Sequence, residues 1–297
     1  MLNILVTGSN GQLGRSIHKV ISVNSAEKNA NQNLNEFVFV GRGELDLSQE
    51  EGIANYFINN DKFDIIVNCA AYTAVDKAEE EQELANQVNH LAVKQLAEIA
   101  NKQQVRLIHI STDYVFDGKS DKPYIETDPT NPVNVYGKTK LAGEKVLQEV
   151  MPTNAIIIRV SWVYSEYGNN FVKTMLRLGK ERSELSVVSD QIGSPTYATD
   201  LASAILEIIK NKEFREVDQA TQIYHYSNKG EISWYDFAKE IFKLAKINCK
   251  TVPIKTEQYP TPAKRPNSTL MDKGRINQTF GVNMVFWKDS LKRLLTI

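Results

Sequence analysis

One segment constrains this chain more than any other. Directly behind a short apolar run at residues 4–6 stands Thr7-Gly8-Ser9-Asn10-Gly11-Gln12-Leu13-Gly14, with glycines at 8, 11 and 14. A side chain at those points would obstruct a sharp strand-to-helix turn, the approach of a pyrophosphate to the backbone, or the contact between helix and sheet. The helix that follows offers its unpaired N–H groups to an anion. Glycine triplets also occur in turns that bind nothing. This one follows the first strand and opens an amphipathic helix, which is the context of a dinucleotide site. Gly8, Gly11, Gln12, Leu13 and Gly14 are therefore candidate cofactor-binding residues.

Four more short apolar runs, at 37–40, 65–67, 107–110 and 155–160, alternate with helical stretches such as 83–100. Each is too short for a helix and too continuous for a strand wet on one face. They predict strands buried on both faces of a parallel sheet. The expected fold is α/β, a Rossmann-like doubly wound parallel sheet with a smaller, discontinuous α/β lobe. After Trp162 the rhythm loosens. Helices are expected at 170–180, 201–210 and 234–245, and strands at 185–188 and 223–226. Residues 251–266, which hold four of the nine prolines, are expected to be extended. A length of 297 residues suggests two domains. The pattern assigns 1–164 and 194–228 to a dinucleotide-binding domain, and 165–193 and 229–297 to a substrate-binding lobe, with the active site in the cleft between them.

Composition removes several function classes. Lys and Arg total 35 and Asp and Glu total 36, so the basic excess of a phosphate-gripping nucleic-acid binder is missing. No apolar run approaches the ~20 residues of a membrane helix. The first residues enter a strand without the basic region, apolar segment and cleavage site of a signal peptide. Cys69 and Cys249 supply neither a disulfide framework nor a zinc site. A cytoplasmic protein with neither nucleic acid nor membrane as partner is expected. His18, His90, His109 and His225 have no metal-site spacing, and His109, inside an apolar run, reads as a satisfied core histidine.

The fourth run ends in His109-Ile110-Ser111-Thr112-Asp113, and Tyr136-Gly137-Lys138-Thr139-Lys140 opens a helix. Tyr and Lys four apart share one helix face. A phenol of pKa near ~10 is a poor acid–base group at neutral pH, and a nearby ammonium is expected to lower that value. The same lysine can hold the ribose hydroxyls of a nicotinamide cofactor. A hydroxyl at the end of strand four, Thr112 first and Ser111 second, can hold a substrate carbonyl beside the tyrosine. The spacing alone decides nothing, because 12 tyrosines and 25 lysines make a chance match expected, and Tyr235/Lys239 is a second pair. Position favours Tyr136, which lies in the dinucleotide-binding half at the C-terminal side of the sheet. Tyr235, between Trp234 and Phe237 in a late helix, reads as packing.

The glycine spacing resembles the GxxGxxG turn of extended short-chain dehydrogenase/reductases. In such a site an acid after the second strand serves NAD; here Arg42 stands there and could pair with the 2′-phosphate of NADPH. The resemblance places Asp46 and Leu47 at adenine, and Ala70, Ala71 and Tyr72 beside the nicotinamide ribose. Residues 111–118, 134–144, 161–164, 168–171, 190–196 and Arg265-Pro266 together resemble the dTDP-4-dehydrorhamnose reductases over nearly the whole chain. This implies NADPH- or NADH-dependent reduction of the C4 ketone of dTDP-4-dehydro-L-rhamnose (dTDP-6-deoxy-L-lyxo-4-hexulose) to dTDP-L-rhamnose, a precursor of cell-surface polysaccharide. It makes Tyr136 the proton donor, Lys140 its partner and ribose clamp, and Thr112 the third catalytic residue. Ser111, Asp113, Trp162, Asn170 and Arg265 join Thr112 in substrate binding. Some members bridge a homodimer through magnesium held by acidic residues. Those acids do not line up at 15–16 and 197–200, so no metal is expected, and a homodimer is one expected assembly. Two other readings stay open: a non-catalytic nucleotide-binding subunit resembling the regulatory subunit of methionine adenosyltransferase, and a nucleotide-sugar epimerase or dehydratase. Against a dehydratase, Asp113 is followed by Tyr114 and not by Glu.

Overall fold

The computed structural model describes residues 1–27, 35–60 and 62–296. The first half runs β1 (Asn3–Thr7), α1 (Gln12–Glu27), β2 (Glu36–Val40), α2 (Glu50–Asn59), β3 (Ile65–Asn68), α3 (Gln82–Asn86), α4 (Ala92–Gln103), β4 (Arg106–Thr112), α5 (Val135–Val150) and β5 (Ala155–Val160). There follow β6 (Val163–Tyr164), α6 (Phe171–Glu181), β7 (Glu184–Val188), β8 (Ile192–Gly193), β9 (Thr196–Tyr197), α7 (Ala198–Lys210), α8 (Lys212–Glu216) and β10 (Gln222–Tyr226). The chain ends with β11 (Ile232–Ser233), α9 (Trp234–Ala245), β12 (Lys250–Ile254), α10 (Gly274–Phe280) and α11 (Trp287–Leu295).

Six strands form one sheet in the order β10-β5-β4-β3-β1-β2, and every pairing is parallel. The apolar runs read in the sequence are its strands, for the reason expected. Successive side chains of a strand point to opposite faces. Ile4, Val6, Ile65, Val67, Ile108, Ile156 and Ile158 pack under Leu201 and Ile205 of α7 and Ile17 of α1. Leu5, Ile66, Leu107 and Ile157, one residue out of phase, pack under α4 residues Val93 and Leu96 and under Leu147 of α5. The strand order reverses between β1 and β3, which opens a crevice beyond their C-terminal ends.

A third apolar cluster lies beyond the sheet. It gathers Tyr164, Val172, Met175, Leu185, Val187, Tyr197, Phe237, Ile241, Trp287 and Leu291 from β6, α6, β7, β9, α9 and α11; β7 pairs with β12 in parallel. Ile276 and Val282, late in the chain, pack instead with the first face of the sheet.

Two sequence expectations were too simple. The helix expected over 83–100 is two helices joined by a single π-turn at Gln87–Leu91. Residues 251–266 begin extended, as all but the first residue of β12, and then form a short 3-10 turn, Thr256–Gln258, before the irregular proline-rich stretch. Among the described residues no helix is long and apolar enough to cross a membrane.

Candidate active site

The glycine turn closes the C-terminal end of β1. Gly8 has φ +67°, and a Cβ there would lie 2.7 Å from the Ala70 nitrogen. A Cβ on Gly14 would lie 2.5 Å from the Gly8 carbonyl oxygen. The first position needs a left-handed backbone and the second a helix pressed onto the turn, so both need glycine. Leu13 is buried in the sheet core beneath. The turn is therefore a bare backbone surface at a helix N-terminus, which fits a pyrophosphate. Gln12 points the other way. Its amide donates to the Val163 carbonyl at 3.3 Å and accepts from Ser165 and Asn170. Asn170 lies on this side, against Gln12 and capping α6 through Lys173 N–H.

Past β2, Arg42 is exposed and donates to Asp46 at 3.0 Å. Burial acts to raise the Asp46 pKa, but hydrogen bonds from Ser48 and Arg42 outweigh it and hold the carboxyl below its ordinary value. Leu47 is buried beside it. Past β3, the Ala70 N–H reaches the Thr7 hydroxyl, and the half-buried Ala71 leads into Tyr72. Tyr72 is tied down by Asn89, which accepts from the Tyr72 N–H at 2.9 Å and donates to its carbonyl at 3.1 Å. Asn89 sits in the π-turn, and a Cβ on Gly143 of α5 would lie 2.2 Å from the Asn89 carbonyl oxygen. The π-turn thus aims one amide side chain at the loop beside the crevice, a use to which such turns are often put.

The reacting end is assembled where β4 meets α5. Thr112 ends β4 and donates to Asp113 at 3.0 Å, while Thr269 donates to the other Asp113 oxygen at 2.5 Å. The Tyr136 hydroxyl faces the Thr112 side chain. Burial pushes the Tyr136 pKa up to about 12, the Thr112 hydroxyl opposes this and the Asp113 charge adds to it. The lowering expected from Lys140 is absent. Lys140, almost fully buried, donates to the Ile110 carbonyl at 2.6 Å and lies 3.3 Å from His109 Nε2. Burial brings the Lys140 pKa down to about 8, against the pull of Glu144. Asp113, fully enclosed, is raised to about 7 by burial, with hydrogen bonds from Thr269 and Thr112 opposing. A tyrosine held protonated beside a hydroxyl donor can give a proton to an oxygen anion forming next to it.

The other named residues surround this centre at different removes. Ser111 gives its hydroxyl to buried Glu144, which is clamped by Arg159 from β5; its hydroxyl therefore faces into the protein. Trp162 has φ +47° and stacks on Trp234 with ring centroids 3.5 Å apart. Gly193 lies under it, where a Cβ would be 2.8 Å from the indole. Arg265 forms a two-pronged pair with Asp76 at 2.8 Å on each side, and its charge reaches Tyr114. The Tyr114 ring meets Tyr136 edge-on.

The model of the RmlD substrate binding domain family matches residues 2–297. The dTDP-4-dehydrorhamnose reductase of Aggregatibacter actinomycetemcomitans is 42% identical over 99% of this chain and 98% of its own. The crystal structure of a dTDP-4-dehydrorhamnose reductase from Clostridium acetobutylicum superposes with a TM-score of 0.89 at 41% identity, covering 99% of each chain. The enzyme of that name from Bacillus anthracis, solved in complex with NADP, superposes at 0.88 with 36% identity, again covering 99% of each chain. The chain belongs to the dTDP-4-dehydrorhamnose reductase family.

In this family member, several supporting residues escaped the sequence reading. Asn89 needed the π-turn to be known. Asp76 and Thr269 meet Arg265 and Asp113 across 189 and 156 residues, and no local spacing signals such pairs. Glu144 had a signal: it continues the Tyr136–Lys140 face by one more turn.

Proposed function

We propose that this protein reduces the C4 ketone of dTDP-4-dehydro-L-rhamnose to dTDP-L-rhamnose, using NADPH or NADH. Membership of the reductase family supports the substrate class, and the contact of the Tyr136 phenol with Thr112 at the end of β4 is the observation that carries the chemistry. In this reading the glycine turn 8–14, Arg42, Asp46, Leu47, Ala70, Ala71, Tyr72 and Lys140 hold the cofactor, which supplies the hydride. Tyr136 donates to the C4 oxygen of the ketone, joined by Thr112 once its hydroxyl turns from Asp113 to the substrate. As negative charge develops there, the phenol proton passes to it, and Lys140 and Thr112 stabilise the phenolate left behind. In the free enzyme Asp113 fixes the Thr112 hydroxyl. Ser111 contributes through Glu144, while Trp162, Asn170 and Arg265 frame the dTDP-sugar. We assign 1–164 and 194–228 to cofactor binding and 165–193 and 229–297 to the substrate lobe. Cytoplasmic location, a homodimer and independence from metal belong to the same reading.

The test is to supply the ketone with NADPH or NADH and follow loss of reduced-nicotinamide absorbance together with the sugar product. Stoichiometric oxidation is expected. No oxidation with either cofactor would move the chain to the non-catalytic, nucleotide-binding reading. Arg42→Ala is expected to weaken NADPH by about three- to tenfold, the range of one exposed ionic contact, and to leave NADH unchanged. Equal loss for both would remove Arg42 from the 2′-phosphate.

A further inference from the structure

A proline-rich arm, residues 260–268, runs past the reacting end. It follows the 3-10 turn Thr256–Gln258 and carries Pro260, Pro262 and Pro266. The arm is fastened in three places. Asn134, which caps α5 two residues before Tyr136, donates to the Lys264 carbonyl at 2.8 Å. At the far end the Ser268 N–H reaches the Gly118 carbonyl at 3.2 Å, and the next residue, Thr269, holds Asp113. Between them Asp76, in the loop past β3, accepts the Ala263 N–H at 3.2 Å and the guanidinium of Arg265.

That guanidinium is only partly satisfied. It is planar and carries five N–H groups in fixed directions. Nη1 donates to Asp76 Oδ1 at 2.8 Å and to the Ala263 carbonyl at 2.7 Å, and Nη2 donates to Asp76 Oδ2 at 2.8 Å. The Nε–H and the second N–H of Nη2 remain. They lie side by side on one edge and point the same way. Among the described residues neither finds an acceptor, and 18% of the side chain is open to solvent. Two parallel N–H groups on a guanidinium edge suit two oxygens of one phosphate. The chemistry is close by. The charges of Arg265 and Asp76 both act on the buried Tyr114 phenol, and the Tyr114 ring meets Tyr136 edge-on with centroids 5.8 Å apart.

We propose that Asp76 is a positioning residue for the substrate: by occupying the end of the Arg265 fork, it aims the free Nε/Nη2 edge at the diphosphate of the nucleotide sugar. This rests on Arg265 framing the dTDP-sugar. It deepens that reading by naming the edge that takes the diphosphate and the residue that sets it.

Asp76 acts on a bound diphosphate in two opposed ways. Burial raises its pKa, but the bonds from Arg265 and Ala263 outweigh this, so the carboxyl stays ionised at neutral pH. A carboxylate repels a second anion held across the guanidinium. The same carboxylate also removes the freedom of a long side chain and ties the arm to the loop past β3. The repulsion acts at a half-open site, with 43% of the Asp76 side chain exposed, where water and salt screen it. Ordering a rotamer-rich side chain before binding is worth about two- to tenfold in affinity. Positioning therefore outweighs repulsion, and the two effects have opposite signs in a variant without the carboxylate.

The experiment is calorimetric titration of the full chain with dTDP and, separately, with NADPH, alongside steady-state kinetics. Asp76→Ala is expected to weaken dTDP by about three- to tenfold. KM for the sugar nucleotide should rise by the same factor, with the loss falling on KM and not on kcat, and NADPH should bind as in the wild type. Asp76→Asn keeps one acceptor, is expected to weaken dTDP in the same direction by less, and serves if Asp76→Ala does not fold. Arg265→Lys keeps the charge, loses the edge, and should weaken dTDP at least as much as Asp76→Ala. Unchanged or tighter dTDP binding in a folded Asp76 variant, with Arg265→Lys impaired, overturns the proposal and leaves Arg265 on the diphosphate. Unchanged binding in Arg265→Lys overturns the proposal together with the reading of Arg265. A loss in kcat with KM unchanged would make Asp76 a support of Tyr136 and not of the substrate, and overturns it as well.

Discussion

Helices α5 and α9 carry the same tyrosine–lysine spacing in different surroundings. On α5, Tyr136 lies against Thr112 at the end of a central strand, and Lys140 is buried on the carbonyl of Ile110. On α9, Lys239 lies 5.0 Å over the ring of Tyr235 and 3.9 Å from Asp236, with half its side chain in water. One turn further on, α5 presents Glu144, buried and clamped by Arg159, where α9 presents the exposed Lys243. The spacing brings two side chains to one helix face and does no more. The chemistry comes from what that face is pressed against: the C-terminal ends of parallel strands, where unpaired backbone and hydroxyls converge.

The sharpest way to break this contrast is to remove one hydroxyl from each helix. Tyr136→Phe keeps the ring and its contact with Tyr114 and loses the proton donor. Turnover is expected to fall by about 10²–10⁴-fold, the usual worth of a positioned acid, with cofactor affinity retained. Tyr235→Phe is expected to keep turnover within about twofold. Steady-state kinetics and cofactor titration of both variants decide it. Near-normal turnover in Tyr136→Phe would dissolve the distinction between the helices.

A second feature of the α5 side is its fully buried acid, Asp113. Asp113 is raised to about 7 by burial in the folded protein, against about 4 for an unfolded chain. The native state therefore favours the protonated form and binds more protons than the unfolded state between these values. The contribution to stability is complete below about pH 4 and is lost as pH rises through about 7, on the order of 4 kcal/mol in all. Denaturant unfolding from pH 4 to 8 should show the wild type losing stability relative to Asp113→Asn across that window. Parallel curves would mean that Asp113 is an ordinary exposed-type carboxylate.

The third positions extend the comparison. Glu144→Gln leaves Arg159 buried without its counter-charge, which is expected to cost about 3 kcal/mol of unfolding free energy. Lys243→Gln, at the same place on α9, should change stability by less than about 0.5 kcal/mol. Equal effects would show that α5 is no more committed to its surroundings than α9.

These contrasts also mark what the sequence could reveal. The sheet was legible because strands buried on both faces leave no polar alternation, as in 65–67 and 155–160. The turn at Gly8 was legible because backbone geometry there excludes other residues. Tyr136 was separated from Tyr235 by chain position alone. What stayed hidden depends on register between strands or on distant pairs. His109 read as a core histidine, and it is buried, but only the alignment of β1, β3 and β4 puts Asn68 on one side of it and Lys140 on the other. The expected lowering of the Tyr136 pKa left out the burial of the phenol, which raises it. Spacing fixes the face of a helix and leaves the end of a long side chain free to find the carbonyl of Ile110. The break in 83–100 was hidden because a π-turn adds one residue without any compositional mark.

The smallest expected effect bounds the comparison from the other side. Lys239→Met removes an ammonium from the Tyr235 ring and from Asp236 but keeps the stem that covers the helix surface. An exposed cation over an aromatic face is worth about 0.5–1 kcal/mol, and an exposed ion pair at 3.9 Å is worth no more. The two share one charge, and water and salt replace much of both. Thermal or denaturant unfolding should therefore register a change below about 1 kcal/mol, shrinking further as salt is added. Turnover and cofactor affinity should match the wild type. A large loss of turnover in Lys239→Met, with the fold intact, would mean that the second lobe brings its own tyrosine–lysine pair to the substrate, and that position along the chain had excluded the wrong helix.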